Sequence, residues 1–267
     1  MSNFWIAFGL TLIAGLSTGI GSCIAFLSKS TNKKFLSISL GFSAGVMIYV
    51  SMIEIFAKAK DSLIIQHGIT KGSWYTVLAF FGGMLVIGLI DRFIPIEMAT
   101  NDITTNKSEE TYDKVQAKKL KRMGMYTALA IAIHNFPEGL ATFVSAMKDP
   151  SLAIPIVVAI AIHNIPEGVA VSVPIYQATG SKKKAFFYSF ISGLAEPIGA
   201  LVGWFLLMPF MSETVFGIIF AGVAGIMVFI AFDELFPTAI EYGDHHISVY
   251  GLVSGMGVMA LSLLLFV

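Results

Sequence analysis

The amino-acid sequence predicts an all-α polytopic membrane protein with eight transmembrane helices in one domain, residues 1–267. Two observations lead to this prediction. Of the 267 residues, 56% are hydrophobic and only 13% are charged, whereas soluble domains contain about 25% charged residues. Runs of about 20 mainly apolar residues, long enough to cross the hydrocarbon core of a bilayer, recur eight times. We therefore expect the lipid bilayer to surround most of the protein.

The eight predicted spans follow one another with mostly short connections. They cover approximately residues 4–27, 35–57, 74–93, 123–147, 152–176, 185–208, 214–238 and 247–267. The one long connection, residues 94–122, is polar and is predicted to be a surface loop that is flexible or partly helical. The formal net charge is zero, so nothing indicates a nucleic-acid partner.

The positions of the basic residues predict the orientation in the membrane. Thirteen of the 17 lysines and arginines follow the first, third and fifth spans, and only four lie in the loops on the other side. Loops rich in lysine and arginine stay in the cytoplasm. We therefore expect a multi-pass protein of the cell (inner) membrane, with loop 94–122 in the cytoplasm and both termini outside.

Two parts of the sequence resemble each other when the chain is aligned with itself at a shift of 180 residues, the first register, or of 178 residues, the second register. The first register aligns AGVM at 44–47 with AGIM at 224–227, and Glu54 with Glu234. The second register aligns the first span with the sixth, with Gly15 over Gly193, while the eighth span matches the third only weakly. Five spans separate the starts of the copies, so their predicted orientations are opposite. Such inverted repeats are typical of alternating-access carriers. The predicted plan is 3+2+3, with helices 1–3 and 6–8 repeated around a central pair.

The central pair contains the same polar motif twice. AIAIHNFPEG occupies residues 130–139, and AIAIHNIPEG occupies residues 159–168. In each copy the histidine and the glutamate are four residues apart, which places them on one face of a helix. Antiparallel neighbouring spans would bring both faces together near the bilayer midplane. Because a charge there costs about 3 kcal/mol, the group needs compensation, which a divalent cation bound by imidazole and carboxylate would supply.

Other residues fit the same site. Pro137 and Pro166 are expected to bend each helix one residue before its glutamate. The sixth span adds Glu196 within SGLAEPIGA, and this third carboxylate allows two adjacent metal positions bridged by Glu138 and Glu167. The asparagines offer neutral oxygen ligands. The predicted metal ligands are His134, Asn135, Glu138, His163, Asn164, Glu167 and Glu196.

The motifs HNFPEG, HNIPEG and SGLAEP resemble those of the ZIP family of metal transporters, most closely its bacterial ZupT-like branch. The resemblance covers nearly the whole chain. It implies import of divalent metal into the cytoplasm, chiefly Zn²⁺, with Fe²⁺, Mn²⁺, Co²⁺ and Cd²⁺ as further substrates. It also implies no prosthetic group and no enzymatic activity. Many relatives have a histidine-rich loop after the third span, whereas residues 94–122 contain no histidine.

The resemblance further implies a binuclear site. One metal position would use Glu138, His163 and Glu167, with His134 beside it. The second would use Asn135, Glu138, Asn164, Glu167 and Glu196. The oxygen ligands of the second position suit a harder ion such as Fe²⁺.

Acidic and histidine residues outside the central pair predict a path for the ion. Glu54, near the end of the second span, is expected toward the outer face, whereas Asp233 and Glu234 are expected toward the cytoplasm. His245 and His246 lie in the last cytoplasmic loop, where they would receive the departing ion. Glu54, Asp233 and Glu234 are equally compatible with solvated helix ends, and for His245 and His246 a solvated loop is favoured over a role in the path.

Three alternative functions account for part of the pattern. A haem protein with His134 and His163 as axial ligands would leave the glutamates without a role. A proton-coupled carrier of an organic solute would use the acids as a relay. A metal exporter could use the same ligand spacing. The sequence leaves open the preferred metal, proton coupling and the oligomeric state, including a homodimer.

Overall fold

The computed structural model describes residues 2–27, 33–93 and 109–265, and all regular structure within these ranges is helical. This result confirms the all-α prediction. The α-helices in these ranges are α1 (Ser2–Leu27), α2 (Lys33–Val50), α3 (Phe56–Phe93), α4 (Glu109–Lys148), α5 (Pro150–Thr179), α6 (Lys182–Gly193), α7 (Ala195–Val202), α8 (Glu213–Ile230), α9 (Phe236–Tyr242) and α10 (His245–Leu264). π-Helical turns at Ser51–Ile55, Gly203–Leu207 and Ala231–Leu235 and a 3₁₀ turn at Met208–Phe210 connect some of them.

Six helical stretches in the described ranges are long and apolar enough to cross a membrane. They are Asn3–Phe26, Lys34–Arg92, Ala153–Thr179, Lys182–Phe210, Glu213–Tyr242 and His245–Leu264. The 59-residue stretch Lys34–Arg92 contains the second and third predicted spans, and Gly68 interrupts it with φ 77° and ψ 167°. The fourth predicted span lies within α4, where the polar motif interrupts the apolar run. The eight-span arrangement stays a prediction.

The predicted loop 94–122 falls partly outside the described ranges. Residues 94–108 are not among the described residues, whereas residues 109–122 form the first turns of α4. The helix therefore begins well before the apolar segment that predicted it. The sequence EETYDKVQAKKLKR contains no proline or glycine, so nothing in it interrupts a helix.

The helices pack in two groups. In the first group α1 and α4 pack along α5, α7 packs against α4, and α6 contacts α1, α4 and α5. In the second group α3 packs along α8, and α2 packs along α10. The main contact between the groups is that of α2 with α5. The two helices with the doubled motif therefore belong to the first group, and α2 of the second group lies beside them.

Glycines allow matching close approaches within the first group. A Cβ atom at Gly21 would overlap the carbonyl oxygen of Ile165, and one at Gly199 would overlap that of Phe136. The second register of the repeat aligns Gly21 with Gly199, and the alignment of the two motifs places Phe136 over Ile165. The sequence repeats are thus accompanied by repeated backbone contacts.

Helix boundaries recur in the first register of the repeat. Helix α2 and the π-helical turn Ser51–Ile55 correspond at every boundary to α8 and the turn Ala231–Leu235. Glu54 and Glu234 are the fourth residues of these two turns. Such turns are frequent at functional sites. The alignment of the two glutamates therefore extends to their backbone conformation.

Candidate metal centre

The predicted ligand residues come from three helices that pack together. His134, Asn135 and Glu138 lie on α4, His163, Asn164 and Glu167 on α5, and Glu196 in the first turn of α7. Each side chain is at most 1% exposed. A regular helix ends at Gly193 and restarts at Ala195, so the glutamate of α7 follows a break in the sixth predicted span. Helices α4 and α5 continue through Pro137 and Pro166.

The two motifs contact each other crosswise. Nε2 of His134 lies 3.1 Å from Oε2 of Glu167, and Nε2 of His163 lies 3.3 Å from Oε2 of Glu138. Because an ionised carboxylate can only accept, each Nε2 is the donor in these pairs. Each imidazole thus contacts the glutamate of the other helix rather than the glutamate four residues further along its own. The cross pairs hold α4 and α5 together at the centre of the first group.

Each asparagine donates through its amide nitrogen. Nδ2 of Asn164 donates to the carbonyl oxygen of Ala14, at 3.0 Å, and to Oε1 of Glu196. Nδ2 of Asn135 donates to the carbonyl oxygen of Ser192, at 3.4 Å. The second register of the repeat aligns Ala14 with Ser192, so the two carbonyl contacts are equivalent. Both side chains are held in place by their nitrogen atoms, which leaves the amide oxygens free to accept other partners.

Six of the predicted ligand residues also have a buried polar atom without a hydrogen-bond partner among the described residues. These atoms are Nδ1 of His134 and His163, Oδ1 of Asn135 and Asn164, Oε1 of Glu138 and Oε2 of Glu196. Leaving one such atom unsatisfied costs about 1–3 kcal/mol. Four of the six atoms are carboxylate or amide oxygens, which are ligands of divalent cations. The chemistry of this donor set fits a visiting metal ion.

In this conformation the side chains form pairs rather than a closed metal cage. Within the described part of the chain, no three His, Cys, Asp or Glu side chains are grouped closely enough to hold one ion. His134 and Glu167 form one pair, and His163 and Glu138 form the other. Coordination of one ion by three of these residues would therefore require side chains to rotate away from their present partners.

Comparison with known proteins gives the family. A sequence model described as ZIP Zinc transporter matches residues 97–263. The chain is 66% identical over 265 residues to zinc transporter ZupT of Streptococcus mutans serotype c, an alignment that covers 99% of each chain. The chain belongs to the ZIP family. It is also 61% identical to zinc transporter ZupT of Clostridium perfringens over 279 residues, and 62% identical to that of Oceanobacillus iheyensis over 268 residues. These alignments cover 98–100% of the chains compared.

Membership of the ZIP family confirms the recognition made from the motifs. It also confirms that the protein is a transporter rather than an enzyme. Together with the apolar helices of the described ranges, it indicates an integral membrane protein. The full-length alignments agree with the prediction that the resemblance covers nearly the whole chain.

Among the predicted path residues of this ZIP protein, Glu234 lies close enough to His134 and Glu167 to interact with them electrostatically. Glu54 forms an ion pair of 2.5 Å with Lys58 of its own helical stretch. In the turn Ala231–Leu235, Asp233 is exposed and Glu234 is half-buried.

Two of the predicted path residues begin the last helix. His245 and His246 are exposed in the first turn of α10, with ring centroids 5.7 Å apart. The carboxylate of Asp244 caps this helix by accepting from the backbone N–H of Ile247 at 2.9 Å. The sequence DHHI therefore forms the capped start of α10.

One side chain beside the centre was not predicted from the sequence. Ser43 of α2 is fully buried, and its Oγ lies 3.3 Å from the carbonyl oxygen of His163 and 3.4 Å from Oε1 of Glu167. A serine within the apolar sequence GFSAG has no feature that distinguishes it from a packing residue. The main-chain carbonyl groups that anchor the asparagines leave no signal in the sequence at all.

Proposed function

We propose that this protein transports divalent metal ions, Zn²⁺ foremost, across the membrane into the cytoplasm through the site on α4, α5 and α7. The observation that carries the proposal is the set of buried ligand atoms without partners among the described residues, provided by six residues of the two motifs and α7. The curated relatives are named zinc transporters over the full length of the chain. Their name and this donor set agree on the kind of substrate.

The proposed site has two metal positions that share Glu138 and Glu167. The first position takes these two carboxylates and the imidazole of His163, with His134 beside it. The second takes the same carboxylates with Asn135, Asn164 and Glu196. In support, Oδ1 of both asparagines and one oxygen each of Glu138 and Glu196 have no partner among the described residues. The oxygen-rich second position suits a harder ion such as Fe²⁺, and Mn²⁺, Co²⁺ and Cd²⁺ are further proposed substrates of the protein.

The cross pairs would limit the affinity of the site. When the ion leaves, the ligand side chains form two imidazole–carboxylate contacts of 3.1 and 3.3 Å. These contacts stabilise the metal-free site. A carrier needs this limit, because even a Kd of about 1 μM holds the ion by about 8 kcal/mol. The same contacts make binding compete with protons, because metal coordination requires unprotonated ligand nitrogen and ionised carboxylate.

The proposed architecture is eight membrane crossings in the 3+2+3 plan. A straight helix as long as Lys34–Arg92 would extend about 90 Å, roughly three times the hydrocarbon thickness. The interruption at Gly68 supports two crossings instead, and α4 supplies the fourth. The repeated glycine contacts and π-helical turns support the inverted repeat. The protein would lie in the inner membrane with both termini on its outer side. The lipid bilayer would cover the exposed apolar faces.

The proposed mechanism is alternating access. The first helix group contains the site, and α2 of the second group borders it. Rocking or sliding of one group against the other would expose the site first to the outside and then to the cytoplasm. Glu54 would attract the ion outside, and Asp233 and Glu234, with His245 and His246, would receive it inside.

Metal uptake into proteoliposomes tests the function. We expect Zn²⁺ uptake by the purified protein, and a loss of more than tenfold in Glu138→Ala and Glu167→Ala at equal protein content. The matched control is Glu241→Ala, which removes an exposed carboxylate that is not one of the proposed ligands. Wild-type uptake rates in both site variants would refute the assignment. The haem alternative predicts the absorption spectrum of bound haem, and the organic-solute alternative predicts transport that does not respond to Zn²⁺. Outward flux of Zn²⁺ would identify an exporter.

A further inference from the structure

A buried hydroxyl connects the second helix group to the proposed site. Ser43 lies on α2, and its Oγ is 3.4 Å from Oε1 of Glu167 and 3.3 Å from the carbonyl oxygen of His163, both on α5. The side chain is fully buried, so no solvent competes for its proton. This is a polar contact between a residue of the second group and a proposed metal ligand of the first.

The hydroxyl has one proton and two acceptors within reach. The carbonyl oxygen of His163 faces the backbone N–H of Glu167 four residues later in α5, as in any α-helix. The carboxylate of Glu167 carries a charge, and hydrogen bonds to ionised groups are about twice as strong as neutral ones. The proton of Ser43 therefore goes to Oε1. Because Oε2 contacts Nε2 of His134, both oxygens of this carboxylate are held.

The other shared carboxylate has no such support. Glu138 contacts His163 through Oε2, while its Oε1 has no hydrogen-bond partner among the described residues. The first register of the repeat aligns Ser43 with Val223 of α8, and valine has no hydroxyl to donate. The two glutamates of the repeated motif are therefore not equivalent in their surroundings.

We propose that Ser43 is a positioning residue that holds the Glu167 carboxylate in the orientation in which it binds the metal ion. Glu167 is then the fixed shared ligand, and Glu138 is the one that turns toward the ion. Because Ser43 belongs to the second helix group, its support depends on the relative position of the groups. Separation of α2 from α5 would remove the hydrogen bond and lower the affinity, which favours release of the ion. This inference rests on the proposed function.

The test is Zn²⁺ binding by purified Ser43→Ala, measured by isothermal titration calorimetry. Loss of a group that orients a ligating carboxylate raises the Kd for metal by about 10–100-fold. We expect a rise of at least about tenfold in this variant. Ser43→Thr keeps the hydroxyl and should restore most of the affinity. The matched control is Ser172→Ala, because Ser172 is also buried but donates to the Val169 carbonyl of its own helix, at 3.3 Å. The control should bind Zn²⁺ like the wild type.

Uptake kinetics add a readout that a general packing defect would not reproduce. We expect the KM of Ser43→Ala for Zn²⁺ to rise by the same factor as its Kd, with a maximal rate within about twofold of the wild type. Wild-type affinity in Ser43→Ala, or an equal loss in Ser172→Ala, would overturn the inference while wild-type uptake upholds the proposed function. Failure of the wild-type protein to bind or transport Zn²⁺ would overturn both.

Discussion

Gly139 lies at a close approach of two helices that carry proposed ligands, and its substitution gives a quantitative prediction. A Cβ atom at this position of α4 would lie 2.5 Å from the carbonyl carbon of Glu196 and would overlap the Cα and oxygen atoms of the same residue. Ordinary van der Waals contact begins at 3.4 Å, so α7 would have to move away by about 1 Å. The obstacle is main chain and cannot rotate aside. Gly139→Ala should therefore displace the carboxylate of α7 from the other ligands.

The expected cost follows from this overlap. Overpacking of a well-packed interior costs about 1–3 kcal/mol, and we expect Gly139→Ala to lower the free energy of unfolding by that amount. The matched control is Gly82→Ala on α3, because a Cβ atom at Gly82 would have no neighbour within 4 Å among the described residues. That variant should instead gain about 0.5–1 kcal/mol, since alanine favours a helix more than glycine does.

The assay is denaturant unfolding in detergent, together with Zn²⁺ binding. Gly139→Ala should be less stable than the wild type and should bind Zn²⁺ more weakly, whereas Gly82→Ala should bind it normally. Equal stability of the two alanine variants would refute the reasoning, because it would mean that α4 and α7 are not in backbone contact at this point.

Three further predictions concern the site and its surroundings. Asn164→Ala removes the donor to a buried carboxylate and should weaken Zn²⁺ binding by about 1–3 kcal/mol, measured by calorimetry; unchanged affinity would argue against an anchoring role. Initial rates of Zn²⁺ uptake should rise as the outer pH is raised from acid to neutral, because binding displaces protons; a flat profile would contradict this. Lys148→Met should change stability by less than about 1 kcal/mol, because the side chains of its 2.6 Å ion pair with Glu213 are 41% and 43% exposed; a larger loss would show a structural role.

The all-α class was predictable because helices that cross a bilayer appear in the sequence as long apolar runs. The register predicted from AGVM and AGIM recurs in the boundaries of α2 and α8. The π-helical turns at Glu54 and Glu234 were not predicted, because an extra residue in a helical turn leaves the apolar pattern almost unchanged. The long first part of α4 was predicted only as part of a loop that is flexible or partly helical, since its residues are polar and hydropathy predicts only the apolar part of a helix.

The sequence predicted which residues would lie together more readily than which of them would be in contact. The spacing of four residues placed His134 and Glu138 on one face of α4, yet the partner of His134 is Glu167 of α5. That choice depends on how the two helices are rotated about their axes, which the spacing does not specify. Ser43 was missed for a similar reason, because only the packing of α2 against α5 brings its hydroxyl to the carboxylate.

The most direct test of the central claim is anomalous diffraction at the zinc absorption edge from crystals of the protein soaked in Zn²⁺. We predict an anomalous peak between α4 and α5, at about 2.0–2.2 Å from ligand atoms of Glu138, His163 and Glu167. Peaks confined to the protein surface, with these three side chains still in their metal-free pairs, would contradict the account.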